Sequence, residues 1–177
     1  MQRPHRTTEM SSQTGSHAAD IEQAANPATD APAPFNKPTA DLILRSSDGV
    51  RFRVRKAILA EASPIFEDMF TLPAPRNSDN LAIGPPVVDM TEDSRTVHGL
   101  LRLCYPISET PIRTLDEASI LLDAVRKYSM DGALNYLGQR LIVFADAEPL
   151  RVYALAIRYE LQEEILKASA KGFLTYI

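Results

Sequence analysis

The run Val50-Arg51-Phe52-Arg53-Val54-Arg55 alternates apolar and basic side chains without a break. Period-two spacing puts Val50, Phe52 and Val54 on one face of an extended strand and the three arginines on the other. Such a strand must pair its backbone, and the residues before it say with what. Asp48-Gly49 is a strong turn signal between apolar runs, and Asp41-Leu42-Ile43-Leu44 supplies the opposite arm of a hairpin. The chain therefore contains at least a small sheet with one buried face.

After this hairpin the period changes. Lys56-Ala57-Ile58-Leu59-Ala60-Glu61-Ala62 reads as a short helix of good formers. Ser63 then caps a second helix, Pro64 suits its first position, and Glu67 and Asp68 favour its positive end. Ile65, Phe66, Met69 and Phe70 are its expected apolar side. Pro73, Pro75, Pro85 and Pro86 make most of 71–86 a loop. A short strand follows at Val87-Val88-Asp89-Met90, then a helix capped by Thr91 or Ser94 with Val97, Leu100, Leu101 and Cys104 on one stripe.

From Thr114 the pattern is helical. Ala118, Leu121, Leu122, Val125 and Tyr128 share one face, as do Leu134, Leu137, Leu141 and Phe144. Pro149 opens a third helix with Leu150, Tyr153, Ala154 and Ile157 aligned as its stripe. Residues 162–176 align Ile165, Leu166, Ser169, Phe173 and Tyr176. Few strands followed by many helices predict an α+β domain, a small β-sheet capped by a cluster of α-helices with extra C-terminal helices. No repeat of fixed period is visible.

Composition divides the chain. Residues 1–40 hold Pro4, Pro27, Pro32, Pro34 and Pro38, and their hydrophobes other than alanine are Met1, Met10, Ile21 and Phe35. So little apolar area does not offset ordering entropy, and 1–40 is expected to be a disordered Pro/Ala-rich tail. The folded part then comprises 41–144 and a helical extension over 145–177. The net charge is −4, from 19 Lys+Arg and 23 Asp+Glu, which argues against bulk nucleic-acid binding. No apolar run nears the ~20 residues of a bilayer-spanning helix, and Arg3 and Arg6 precede no apolar stretch of a secretory signal. One cysteine excludes thiol-built disulfide or zinc frameworks. A cytoplasmic or nuclear setting is expected.

Catalytic patterns are missing from the sequence. His5 and His17 lie in the expected tail, and His98 is placed facing solvent. The glycines are isolated, so no phosphate-cradling loop occurs. Cys104 on an apolar stripe reads as a small hydrophobe rather than a nucleophile. Glu92-Asp93 and Glu163-Glu164 read as helix-start charge. Arg51, Arg53, Arg55 and Lys56 form the one marked basic cluster, either a phosphate-binding face or a docking surface for an acidic partner. No cofactor or metal is expected.

The motifs together carry a family likeness. Asp41-Leu42-Ile43-Leu44, then Phe52-Arg53-Val54-Arg55-Lys56-Ala57-Ile58-Leu59, then Ser63-Pro64-Ile65-Phe66-Glu67-Asp68-Met69-Phe70 resemble the start of the BTB/POZ domain. Val87-Val88-Asp89-Met90, Leu100-Leu101-Arg102-Leu103-Cys104-Tyr105 and Ala124-Val125-Arg126-Lys127-Tyr128 continue it. The helices from Pro149 look like the tail of fungal BTB proteins. The resemblance implies a non-enzymatic protein-interaction module whose partners are a second copy, another BTB protein or a cullin scaffold, with roles in oligomerisation, ubiquitin-ligase adaptors or transcriptional complexes. Arg55 stands where the family usually has histidine, while Lys56 keeps the basic residue beside Asp41. The hydrophobe-x-Glu element of cullin binders has no counterpart in Thr71-Leu72-Pro73-Ala74-Pro75-Arg76. The expected interface residues are Asp41, Arg51, Arg53, Arg55, Lys56, Phe70 and Leu72, around the sheet edge and the Leu72 loop.

Overall fold

The structure, a computed structural model, describes residues 29–72, 84–107 and 112–174. Its elements run β1 (Leu42–Arg45), β2 (Arg51–Val54), α1 (Lys56–Ala62), α2 (Pro64–Thr71), β3 (Val87–Asp89), α3 (Ser94–Cys104), α4 (Leu115–Lys127) and α5 (Asp131–Leu141). A 3-10 turn (Ile142–Phe144), α6 (Pro149–Arg158) and α7 (Glu163–Leu174) complete them. The three-stranded sheet has order β2-β1-β3, β1 antiparallel to β2 and parallel to β3. This is the expected α+β arrangement, a small sheet with helices packed against it.

The hairpin closes as its sequence predicts. Gly49 adopts φ 87, a conformation other residues resist, and its N–H donates to Ser46. Asp48 does more than turn the chain: its carboxylate accepts from the Ser94 amide at 2.8 Å and hydroxyl at 2.6 Å, tying the turn to the start of α3. The α3 cap itself is Asp93, which accepts from Thr96 N, and not Thr91 or Ser94. Aspartate competes well for this position because its ionised oxygen accepts strongly beside the helix's positive end.

Ser63 caps α2 as expected, accepting from Phe66 N at 3.2 Å, and it also donates to the Tyr128 carbonyl at 2.5 Å. That buried hydroxyl joins α2 to the end of α4. Phe66 stacks on Tyr128 with centroids 4.7 Å apart. Of the predicted α2 apolar side, Phe66 is buried, Met69 and Phe70 are half-buried, and Ile65 faces outward at 40% exposure.

Ordered packing begins ahead of the expected limit at residue 41. Ala31 and Phe35 are buried in the core. Residues 29–35 run along β2, with Ala31 N donating to Arg51 O, Arg51 N to Thr29 O and Arg53 N to Phe35 O. Composition misleads at this point because these bonds use main-chain atoms, and two small or aromatic side chains suffice to anchor the segment. Residues 1–28 lie outside the described residues.

The helical half contains a structural repeat that the sequence did not advertise. α4 ends in Tyr128, Ser129 at φ 51 and buried Met130, and α6 ends in Tyr159, Glu160 at φ 53 and buried Leu161. In both, the last residue's N–H reaches back into the helix, Met130 N to Val125 O and Leu161 N to Ala156 O, each 2.9 Å. Each helix then folds back as a hairpin, α4 with α5 and α6 with α7. Apart from Tyr128 with Tyr159 and Glu117 with Glu148, most equivalent positions carry different residue types, so no sequence period shows.

Candidate interaction surfaces

The basic cluster read from the sequence divides in two. Arg51 Nε donates to Asp30 at 2.9 Å, and the Arg53 side chain is half-buried on the same strand. The β2 edge, expected to be open to a partner, is covered by residues 29–35 of the same chain. Strand edges demand backbone partners, and in this fold the chain supplies its own.

The other group gathers at the start of α1. Asp41 Oδ1 accepts from the Lys56 amide at 2.9 Å and so supplies the cap that Arg55, at the helix start, does not. Lys56 meets Asp41 through its backbone; its ammonium lies 5.7 Å from the centre of the Phe70 ring. The Arg55 amide donates to Tyr105 Oη at 2.8 Å and its guanidinium to Thr39 at 3.1 Å. Asp41, Arg55, Lys56 and Phe70 thus come together, apart from Arg51. Leu72 is 68% exposed where the described chain breaks off.

The largest departure from expectation is α6. Leu150, Tyr153 and Ile157 are 64%, 46% and 54% exposed, and Ala154 is exposed beside them. The buried stripe is Pro149, Val152, Ala156 and Tyr159 instead. Both sets recur at helical spacing, so periodicity cannot choose between them. Packing chooses: Ala156 is small enough for close approach, and Arg151 and Arg158 turn toward acids on α4. Those two arginines were the available sequence signal.

The α4–α6 seam is parallel. Arg151 meets Asp116 at 2.5 Å and Arg158 meets Asp123 at 2.8 Å, the same direction along both helices. Tyr159 Oη also donates to Asp123, at 2.7 Å. Burial, then that carboxylate bond, push the Tyr159 phenol up. A shallow groove between the arginine layers is lined by Asp116, Ser119, Ile120, Arg151, Ala154 and Leu155.

Chemistry-bearing groups elsewhere are structural. Cys104 is half-buried, its Sγ donates to Leu100 O at 3.3 Å, and burial pushes the thiol up to about 12. His98, expected in solvent, is half-buried with its ring edge-on to Phe35 at 5.6 Å. Burial, then the Arg102 charge, hold its imidazole below the usual value. Glu92 is more than helix-start charge: it pairs with Lys127 at 2.6 Å and accepts from Tyr128 Oη at 2.8 Å. Burial alone would raise this carboxyl, but those hydrogen bonds prevail and hold it low. Among the described residues no group of three or more His, Cys, Asp or Glu is placed to hold a metal ion, and no helix is long and apolar enough to cross a membrane.

A solved structure, the BTB domain of zebrafish PATZ1, is similar at 23% identity and a TM-score of 0.44, over 58% of this chain and 75% of that one. The comparison with curated proteins gave no match. The family model described as BTB/POZ domain matches residues 34–144. That span takes in the whole sheet, the Ser63-capped helix and the first helical hairpin, well over half of the sequence, and the chain belongs to the BTB/POZ domain family.

Proposed function

We propose that this BTB/POZ chain is a non-enzymatic adaptor that holds protein partners, a second copy or another BTB protein before a cullin scaffold. The observation that carries this reading is the apolar surface left on a folded interaction domain: Leu150, Tyr153 and Ile157 along one helix. Aligned exposed aromatic and aliphatic side chains are the usual mark of a surface that another protein covers. The helices beyond residue 144 act as an extension that adds this surface to the domain. A place in ubiquitin-ligase or transcriptional complexes, in the cytoplasm or nucleus, is part of the same proposal. A phosphate-binding strand is the weaker reading, because Asp30 already engages Arg51.

The test is co-purification of the full chain carrying two different tags, together with purified BTB proteins and cullin scaffolds. Recovery of one tagged copy, or of a BTB protein, with the other supports the proposal. Recovery of neither at micromolar concentrations rejects it. Cullin retained more tightly than either would reverse the order of partners.

A further inference from the structure

The chain contains two Asp-Gly pairs, Asp48-Gly49 and Asp131-Gly132. Such a pair is open to one spontaneous reaction, because glycine has no Cβ to obstruct it. The glycine amide nitrogen loses its proton and attacks Cγ of the preceding aspartic acid. A C–N bond forms, the hydroxyl leaves as water, and a succinimide results. Water then reopens the ring. Breaking the bond from nitrogen to Cγ restores aspartate. Breaking the bond from nitrogen to the main-chain carbonyl carbon leaves isoaspartate, with the chain running through the side chain. One water leaves and one returns, so no other reactant is needed.

The fold places the two pairs differently. Asp131 and Gly132 open α5, where the helix fixes the backbone. Asp48-Gly49 forms an exposed hairpin turn, with Gly49 at φ 87 and no atom within 4 Å of where its Cβ would stand. Crowding therefore does not protect the turn; hydrogen bonding does. The Gly49 N–H donates to Ser46 O at 2.9 Å. Asp48 Oδ1 accepts from the Ser94 amide at 2.8 Å and Oδ2 from the Ser94 hydroxyl at 2.6 Å. Nucleophile and carboxyl are thus both engaged elsewhere. Donors also favour the ionised carboxylate, which has no hydroxyl ready to leave. Hydrogen bonds from Ser46 and then Ser94 hold this carboxyl below its ordinary range.

We propose that Asp48-Gly49 is a latent isomerisation site that Ser94, the first residue of α3, holds closed. The product disrupts the hairpin. Isoaspartate adds a main-chain carbon between Ser46 and Val50, and those residues are joined by three hydrogen bonds: Ser46 N and Oγ donate to Val50 O, and Val50 N donates to Ser46 Oγ. The tie from Ser94 to Asp48 therefore guards the register of β2 against β1 as well as joining turn to helix.

The test is peptide mapping of the full chain after weeks at about pH 6. Isoaspartate at each pair is read by chromatography and electron-transfer fragmentation, with the free peptide 44–54 as reference. Asp48 in the folded wild type should isomerise at least tenfold more slowly than in the peptide. Ser94→Ala removes one donor and should speed the reaction about fivefold, the factor one hydrogen bond of ordinary net strength provides. Ser94→Pro removes both donors, yet proline suits the first helical position and Asp93 before it is already extended at ψ 168. The helix should stay, and the rate at Asp48 should approach that of the peptide. Asp131 should keep its wild-type rate in both variants, which separates local release from general loosening. A wild type as fast as the peptide, two variants as slow as wild type, or an equal rise at Asp131 would overturn the proposal.

Discussion

Phe35 stands edge-on to Tyr105, ring centroids 5.4 Å apart and planes 86° to each other, so a residue from a Pro/Ala-rich stretch sits in the core beside the end of α3. Its ring also meets Phe52 at 6.1 Å and is fully buried. Removing a buried phenylalanine leaves a cavity and costs about 3–5 kcal/mol. Phe35→Ala should lose that much in chemical denaturation. A chain starting at residue 41 should fare worse, since it also uncovers the β2 edge; light scattering would show it associating irregularly.

Ser63→Ala removes two hydrogen bonds at once, the α2 cap and the bond to the Tyr128 carbonyl. The serine is 0% exposed, so water cannot replace them. The expected loss is roughly 1–3 kcal/mol, measurable from urea midpoints. Ser63→Thr should retain part of it.

Glu92 gives stability a pH dependence with a defined sign. Its carboxyl is held below the ordinary value in the folded chain, so its contribution is fully present above the unfolded value of about 4.3 and is lost as pH falls through the folded value. Glu92→Gln should destabilise by roughly 1–3 kcal/mol at pH 7 and flatten the acid side of the stability curve. An unchanged acid limb in the variant would reject the assignment.

His98 acts in the same direction at higher pH. The fold favours its neutral form, so stability should decline as pH drops from above about 6.5, where the unfolded imidazole gains its proton first. His98→Gln should remove that decline between pH 7.5 and pH 5, a range above the Glu92 effect, and thermal melts at intermediate pH values separate the two.

Tyr159→Phe keeps the buried ring and deletes the hydroxyl that donates to Asp123. The cost should be about 1 kcal/mol, with the Asp123–Arg158 pair left in place.

Much of this fold was legible in the sequence because the signals were local. Asp48-Gly49, the alternating Phe52 and Val54, and Ser63-Pro64 act within a few residues, and the fold uses them as read. Features that depend on distant contacts were not. Asp41 caps a helix through Lys56 N, across a hairpin, and no spacing rule reveals it. Residues 29–35 hold on by backbone bonds, which composition does not register. α6 carries two competing apolar stripes, and only its neighbours on α4 decide which one is inside. Of the expected interface residues, Asp41, Arg55, Lys56 and Phe70 do meet, while Arg51 and Arg53 lie along a strand whose edge is covered.

The covering of β2 by residues 29–35 has an evolutionary corollary. Three backbone bonds, the Asp30–Arg51 ion pair and the side chains of Ala31 and Phe35 hold the segment, and main-chain bonds are indifferent to the identity of the residues that make them. Pro32 and Pro34 are tolerated because neither is asked to donate. Most other positions in the segment are therefore free to drift across homologues without loosening it, so that a stretch with little recognisable sequence signature can persist as a permanent selvedge of the sheet.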